Sequence, residues 1–203
     1  MPAEIVNLFG GPCTGKSTVA AGVFFELKKK RIQCELVPEV AKGLTWENRR
    51  QALSNQIYIA GKQIQLVERC AEYVDVIVMD TSILLGAIYQ PAHYPSSFTD
   101  ALIDLYSLMH NASFYLERCF PYDSVGRNQT EQEAAAIDPQ VLHWLRTHHI
   151  AFQSLRGRHP DSASDEMVHQ IVGDVLQRTD AIHQKRAEQF EREALNDPAS
   201  YVR

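Results

Sequence analysis

Residues 7–25 read NLFGGPCTGKSTVAAGVFF. Gly10, Gly15, Lys16 and Ser17 satisfy the pattern G-x-x-x-x-G-K-[ST] in full, the signature of a loop that cradles phosphates. Its setting matters as much as its letters. Glu4 to Phe9 is a short apolar run suited to a buried strand, and Lys16 to Arg31 carries Val19, Val23, Phe24 and Leu27 at helical spacing. Strand, glycine-rich turn and helix therefore follow in the order that phosphate binding requires. Glycines at 10 and 15 allow the loop to turn its N–H groups toward an anion. The helix start adds its positive end. Lys16 supplies a mobile cation for the β- and γ-phosphates, and is expected to face solvent in the free protein. Ser17 offers an oxygen to Mg²⁺. Gly10, Gly11, Pro12, Cys13, Thr14, Gly15, Lys16, Ser17 and Thr18 form the candidate nucleotide site, with ATP and Mg²⁺ as the expected cofactors. The dinucleotide fingerprint G-x-G-x-x-G is absent.

Outward from this stretch, short apolar runs alternate with helical patterns. Strands are expected at Glu35–Pro38, Asp75–Met79, Ser113–Leu116 and Ile150–Phe152. Helices are expected at Trp46–Leu53, Asn55–Val74, around Ile83–Tyr89, Phe98–His110 and Asp138–His149, the last with Pro139 in its first turn. The helix over 55–74 places Ile57, Ala60, Ile64, Val67, Ala71 and Val74 on one apolar side. Ser164 to about Glu193 reads as helical, as two helices meeting near Thr179. The alternation implies an α/β fold, a three-layer sandwich on a mostly parallel five-stranded sheet. The 203 residues suffice for one domain, with a lid segment at about 118–135 and C-terminal helices at about 164–196.

Composition narrows the function. Apolar residues make up 45% and charged residues 22%, and the net charge is −5. That balance argues against retention on nucleic acid by bulk charge. The basic run Lys28-Lys29-Lys30-Arg31 reads as a helix end, where cations suit the dipole. The four cysteines are scattered, with no C-x-x-C and no signal peptide, as expected of a reduced, cytoplasmic protein. No apolar run approaches a membrane span, no metal-ligand spacing of histidines occurs, and the guanine-reading Asn-Lys-x-Asp motif is missing.

Three further positions carry potential chemistry. Asp80 ends the apolar run 76–79, where a carboxylate can hold Mg²⁺; its plainer role is to cap the next helix. Glu39 follows the second strand, where ligands gather in open α/β sheets. It could deprotonate an acceptor hydroxyl, or be an ordinary surface glutamate. The polar stretch ERCFPYDSVGRNQTEQEA carries Arg118 and Arg127. An arginine on a closing loop can neutralise charge on a transferring phosphoryl group while water is excluded. Gly126 beside Arg127 allows close backbone approach.

The ordered set NLFGGPCTGKST, ELVPEVAKGLTW, NQIYIAGKQ, VDVIVMDTSILL and YDSVGRNQTEQEA resembles a bacteriophage-encoded family of small P-loop proteins, labelled AAA ATPase or nucleotide kinase. That family is similar to ribosylnicotinamide kinases and, more loosely, to deoxynucleoside and thymidylate kinases. The resemblance runs from about Ile5 to Phe152 and implies an ATP-dependent kinase. It implies Glu39 or Asp80 as the base and Arg127 as the lid arginine. It further implies a base-reading role for Gln56, which shares a helix side with Gln63; solvated glutamines are the plainer expectation at both. The Glu-Arg-Ser triplet of deoxynucleoside kinases is replaced here by Asp80-Thr81-Ser82. The acceptor implied is a nucleotide-like small molecule or, as in phage kinases acting on hydroxymethyluracil, a modified base in DNA. An ATP-hydrolysing switch that binds a partner is the competing class, although the extra helical domain of a ring-forming motor is not found. The sequence is silent on oligomeric state.

Lys16→Ala should abolish phosphoryl transfer and leave the circular dichroism spectrum unchanged. Normal turnover by the folded variant would remove the phosphate-loop assignment.

Overall fold

The computed structural model describes residues 3–123, 125, 130–159 and 161–196, with side chains to residue 181. Among the described residues five strands are present: β1 (Glu4–Phe9), β2 (Cys34–Val37), β3 (Val76–Met79), β4 (His110–Leu116) and β5 (Gln153–Leu155). They form one sheet in the order β2-β3-β1-β4-β5, and every neighbouring pair is parallel. Eight helices among the described residues connect and cover them: α1 (Lys16–Lys29), α2 (Val40–Trp46), α3 (Arg50–Leu53), α4 (Gln56–Glu68), α5 (Leu85–Ile88), α6 (Ser96–Ser107), α7 (Glu131–Thr147) and α8 (Ala163–Asn196).

The two-residue period of a strand sorts the core into two layers. Val6, Leu8, Val76, Val78, Phe114 and Leu116 pack under α1 and α8. Ile5, Phe9, Ile77, Met79 and Tyr115 face the opposite layer, built with Ala60, Val67, Leu102, Val141 and Leu145. The expected α/β three-layer sandwich is therefore present. A strand covered on both sides needs apolar residues on both faces, which is why β1 and β3 read as continuous apolar runs. Asn7, buried in β1, is satisfied by donating to Ile5 O at 3.1 Å and Asn111 Oδ1 at 2.8 Å.

Several expected boundaries are corrected. The helix expected at Trp46–Leu53 is two helices, α2 and α3. The first starts directly after Glu39, and the chain then turns through Asn48, whose φ is +55°, a left-handed conformation that Asn tolerates. The helix expected to reach Val74 stops at Glu68. Tight turns close there, with Cys70 N donating to Val67 O and Tyr73 N to Cys70 O, and redirect the chain into β3. The buried side of α4 is Gln56, Ile59, Ala60, Gln63 and Val67, and Ile57 is 59% exposed. The periodicity of apolar residues misplaced this face because two glutamines share it.

The helix expected from Asp138 begins at Glu131. The Thr130 hydroxyl accepts from Glu133 N and the Glu133 carboxylate accepts from Thr130 N, a reciprocal capping box. Pro139 thus lies inside α7 and not at its start, and the first turns of α7 replace part of the expected lid. The fifth strand is Gln153–Leu155 and not Ile150–Phe152; Ile150 and Phe152 pack into the core instead. An edge strand with exposed Gln153 and Ser154 carries no apolar signal. Finally, α8 is one continuous helix. Thr179 donates its hydroxyl to Val175 O at 2.8 Å, which satisfies a polar side chain within the helix.

α1 and α8 approach closely at Gly22, where an added Cβ would lie 2.6 Å from Val168 Cγ2. Gly22→Ala gains about 1 kcal/mol in helix propensity and loses roughly 1–3 kcal/mol to overpacking against a stiff β-branched side chain. Net destabilisation is expected in urea unfolding. In a Val168→Ala background the same substitution should stabilise by about 1 kcal/mol. An effect of the same sign in both backgrounds would contradict this packing account.

Candidate active site

The carboxyl ends of β1 to β4 converge on one edge of the sheet, where ligands of open α/β sheets collect. The phosphate loop leaves β1 there. Gly10 has φ +143° and Gly15 φ +85°, in the region that favours glycine. A Cβ at Gly10 would meet Thr14 Oγ1 and Leu116 O at 2.6 and 3.1 Å. Cys13 also takes a positive φ, +62°. Gly15 caps α1 without any side-chain acceptor, and the first turn of α1 holds no acidic residue. Its N–H groups therefore lack the usual side-chain cap and favour an anion.

Lys16 does not simply face solvent, as expected from sequence. It is half-buried and donates to Gly10 O at 2.9 Å and Gly11 O at 2.8 Å. The ammonium is held across the loop by the carbonyls that its charge attracts.

The rest of the loop is braced from α7. Asp138 accepts from Gly11 N at 3.0 Å. Arg118, just past β4, pairs with Asp138 through Nε at 2.7 Å and Nη2 at 3.0 Å, a two-pronged contact. Its Nη2 also donates to Pro12 O at 2.8 Å and Ala134 O at 3.1 Å. Arg118 thus spans the loop and α7, with these donors engaged by protein. The Tyr115 hydroxyl donates to Asp138 O at 3.2 Å. Burial pushes its pKa up to about 12, with the Asp138 carboxylate adding to the effect, so it remains a donor at any physiological pH.

Asp80, at the end of β3, is only 7% exposed. Ser17 donates to its Oδ2 at 2.7 Å. Among the described residues the other oxygen, Oδ1, is buried with no hydrogen-bond partner, as is the neighbouring Thr81 Oγ1. Buried polar atoms without partners are uncommon and costly. An uncommitted carboxylate oxygen beside a serine hydroxyl is a hard-oxygen set that fits Mg²⁺. Among the described residues no group of three or more His, Cys, Asp or Glu could hold a metal, so the fit is to an ion that shares its ligands with a phosphate.

Glu39 caps the start of α2 without a side-chain cap bond. Gln63 fixes this turn: its Nε2 donates to Pro38 O and its Oε1 accepts from Val40 N, both at 3.1 Å. Gln56 and Gln63 are not solvated, being 9% and 2% exposed. Gln56 lines a cavity, and its side-chain amide has no hydrogen bond among the described residues.

Two cavities meet at this edge. One, of about 490 Å³, lies over the phosphate loop between Trp46 of α2 and Phe120, Pro121 and Asp123. The other, of about 430 Å³, extends from Lys16 and Glu39 to Gln56, Ile59, Thr81, Ser82 and Tyr89. Lys16, Glu39 and Lys42 line both. The structure thus brings together the loop, Ser17, Asp80, Glu39 and Gln56. Arg127 and Gly126 lie outside the described residues, as does part of the expected lid. Sequence reasoning missed Lys42, Trp46, Gln63 and Asp138. Glu39, Lys42 and Trp46 stand at i, i+3 and i+7, one helical face; an earlier start for α2 would have revealed it.

A family profile described as an AAA domain matches residues 5–161, and the chain belongs to that family. No curated protein matches it in sequence. Among solved structures it is similar to deoxyadenosine kinase from M. mycoides. With the products dCMP and dCDP bound, that enzyme gives a TM-score of 0.50 at 14% identity, covering 88% of this chain and 99% of that one. With dATP bound it gives 0.50 at 14% identity, covering 87% and 99%. An APS kinase from Mycobacterium tuberculosis, in complex with AMPPNP and APS, gives 0.48 at 16% identity over 87% and 98%. At such identities the likeness is one of fold: the P-loop kinase fold.

Arg118→Gln and Asp138→Asn should each weaken ATP binding by roughly tenfold, the scale of one lost charge-assisted bond that positions the loop. The double variant should be little worse than either, because the pair acts as a unit. Additive losses in a calorimetric cycle would show that the two residues support the loop separately.

Proposed function

We propose that this AAA-family chain is an ATP-dependent phosphotransferase, a single domain that moves the γ-phosphoryl group of ATP to a hydroxyl or phosphate of a nucleoside- or nucleotide-like acceptor. The observation that carries the reading is the pair of cavities sharing Lys16, Glu39 and Lys42. A nucleotide on the phosphate loop occupies one, and an acceptor in the other meets its terminal phosphate at the shared wall. Holding both reactants in line supplies much of the catalysis of phosphoryl transfer. The fold shared with deoxyadenosine kinase, a protein described with dATP, dCMP and dCDP, supports the same substrate class.

In the proposed step an acceptor oxygen attacks the γ-phosphorus. The new O–P bond forms as the bond to the β–γ bridging oxygen breaks, and that electron pair leaves with ADP. When the acceptor is a hydroxyl, its proton passes to the Glu39 carboxylate. Lys16 draws charge from the β- and γ-phosphates. Ser17 and the free oxygen of Asp80 would hold Mg²⁺, which when bound neutralises charge between the β- and γ-phosphates. Asp80, committed to Ser17, suits this role better than that of base. The amide of Gln56 would pair with an acceptor's heterocyclic edge, which offers matching donors and acceptors. Arg127 would reach the transferring group from the lid, and Arg118 would act through the loop it braces.

The acceptor cavity is of the size of small-molecule sites, which favours a free nucleoside or nucleotide. Hydroxymethyluracil in DNA is the alternative acceptor, in a phage pathway of DNA modification within the host cytoplasm. It would have to be extruded from the stack to enter, and the net charge of −5 works against a polyanionic partner.

The test is labelled ATP offered with nucleosides, nucleotides, plain DNA and hydroxymethyluracil DNA. ADP formation should depend on an acceptor. Glu39→Gln should keep ATP affinity and lose about 10²–10⁴-fold in rate. Asp80→Asn should lower the rate and its Mg²⁺ dependence. Arg127→Ala should lower the saturated rate more than ATP affinity, because a lid contact is completed only on closure. Equal hydrolysis with and without every acceptor would replace the kinase reading by an ATP-hydrolysing switch.

A further inference from the structure

We propose that Lys42 is a second catalytic cation, one that contacts the transferring phosphoryl group from the side of the acceptor. The inference rests on the phosphotransferase reading for the chemistry, and on the following geometry for the residue.

α2 begins directly after its N-cap Glu39, so Glu39 and Lys42 lie one turn apart on the same face. That face is the wall common to the two cavities. Among the described residues no arginine lines either cavity; their cations are Lys16 and Lys42. Lys16 enters from the phosphate loop. Lys42 enters from α2, on the same wall as Glu39.

The present partner of Lys42 is informative. Its Nζ donates to Ser17 Oγ at 3.4 Å, while Ser17 gives its own proton to Asp80. The ammonium therefore rests on the serine oxygen that would ligate Mg²⁺. Two cations cannot share one oxygen at close range without repulsion. A cation held by Ser17 would repel this ammonium, and the flexible stem of Lys42 would let it move away. Among the described residues it has no carboxylate partner: no ion pair involves it. Besides the nearby carboxylates of Glu39 and Asp80, phosphate oxygens of a nucleotide at the junction of the cavities would be anionic partners within its reach. There its charge adds to that of Lys16 as negative charge spreads over the equatorial oxygens. The clamp of Gln63 on Pro38 and Val40 sets the start of α2, and with it both Glu39 and Lys42. In the transfer already described, the γ-phosphorus exchanges its bond to the β–γ bridging oxygen for one to the acceptor oxygen, and the hydroxyl proton goes to Glu39. Lys42 keeps its own protons throughout.

The experiment measures calorimetric affinity for ADP and for ADP with aluminium fluoride, a mimic of the planar transferring group, in Mg²⁺ buffer. It is paired with the acceptor-saturated rate, for wild type, Lys42→Met and Lys42→Arg. Methionine keeps an apolar stem of similar length, and thermal melts confirm folding. Lys42→Met should leave ADP affinity within about threefold, weaken the fluoride complex by tenfold or more and lower the rate by about 10²–10³-fold, as for loss of one preorganised donor. Lys42→Arg should retain part of both. Equal weakening of ADP and of the fluoride complex, or an unchanged fluoride complex, overturns the proposal. Should wild type transfer to no acceptor, the phosphotransferase reading fails by itself, and the fluoride comparison still decides whether Lys42 meets the transferring group.

Discussion

Ser17 reaches Asp80 at 2.7 Å because β1 lies beside β3. The register that sets Asn7 against Met79 brings the end of β3 next to the loop that leaves β1. Asp80 N donates to Val37 O at 3.1 Å, which ties β2, and thus Glu39, to the same edge. Parallel pairing puts the carboxyl ends of all these strands on one side. The site is therefore a consequence of strand order. Antiparallel pairing of β1 with β3 would separate Ser17 from Asp80 by the length of the sheet.

Around that contact the protein leaves polar groups uncommitted. Among the described residues Asp80 Oδ1 and Thr81 Oγ1 are buried without partners, the N-terminus of α1 has no side-chain cap, and the amide of Gln56 meets a cavity. Each is a local destabilisation that the two apolar layers must carry. Gln90 Oε1 is likewise buried without a partner among the described residues, whereas Asn7 is satisfied by Asn111, Thr179 by Val175 and Gln63 by the β2–α2 turn. The groups of Asp80, Thr81 and Gln56 lie at the carboxyl edge of the sheet, where ligands of open α/β sheets collect, and a bound ligand could supply their missing partners without the structure reorganising.

The loop itself is stiffened from beneath. Lys16, Asp138 and Arg118 take up the polar groups of Gly10, Gly11 and Pro12. The brace connects the loop to α7, whose capping box begins at Thr130, directly after the segment that contains Arg127. A displacement of α7 would therefore be felt at Gly11 through Asp138.

The phosphate loop, Asp80 and the alternation of strands and helices were legible in the amino-acid sequence, because each rests on local chemistry. Glycine at 10 and 15, lysine at 16 and apolar runs at 4–9 and 76–79 act over a few residues. What depends on distant partners was decided by tertiary structure. Gln56 and Gln63 turned inward because a cavity and a turn needed their amides. Ile57 was left outside in consequence, although its periodicity placed it in the core. β5 formed from Gln153, Ser154 and the buried Leu155 because β4 offered an unpaired edge, and Ile150 and Phe152 were used in packing. Arg118 found Asp138, and Lys42 found Ser17, across 20 and 25 positions of chain. A motif is a short-range constraint on backbone and charge. A site wall such as α2 exists only once the sheet has set its neighbours, because burial and pairing are properties of surroundings that no single segment contains.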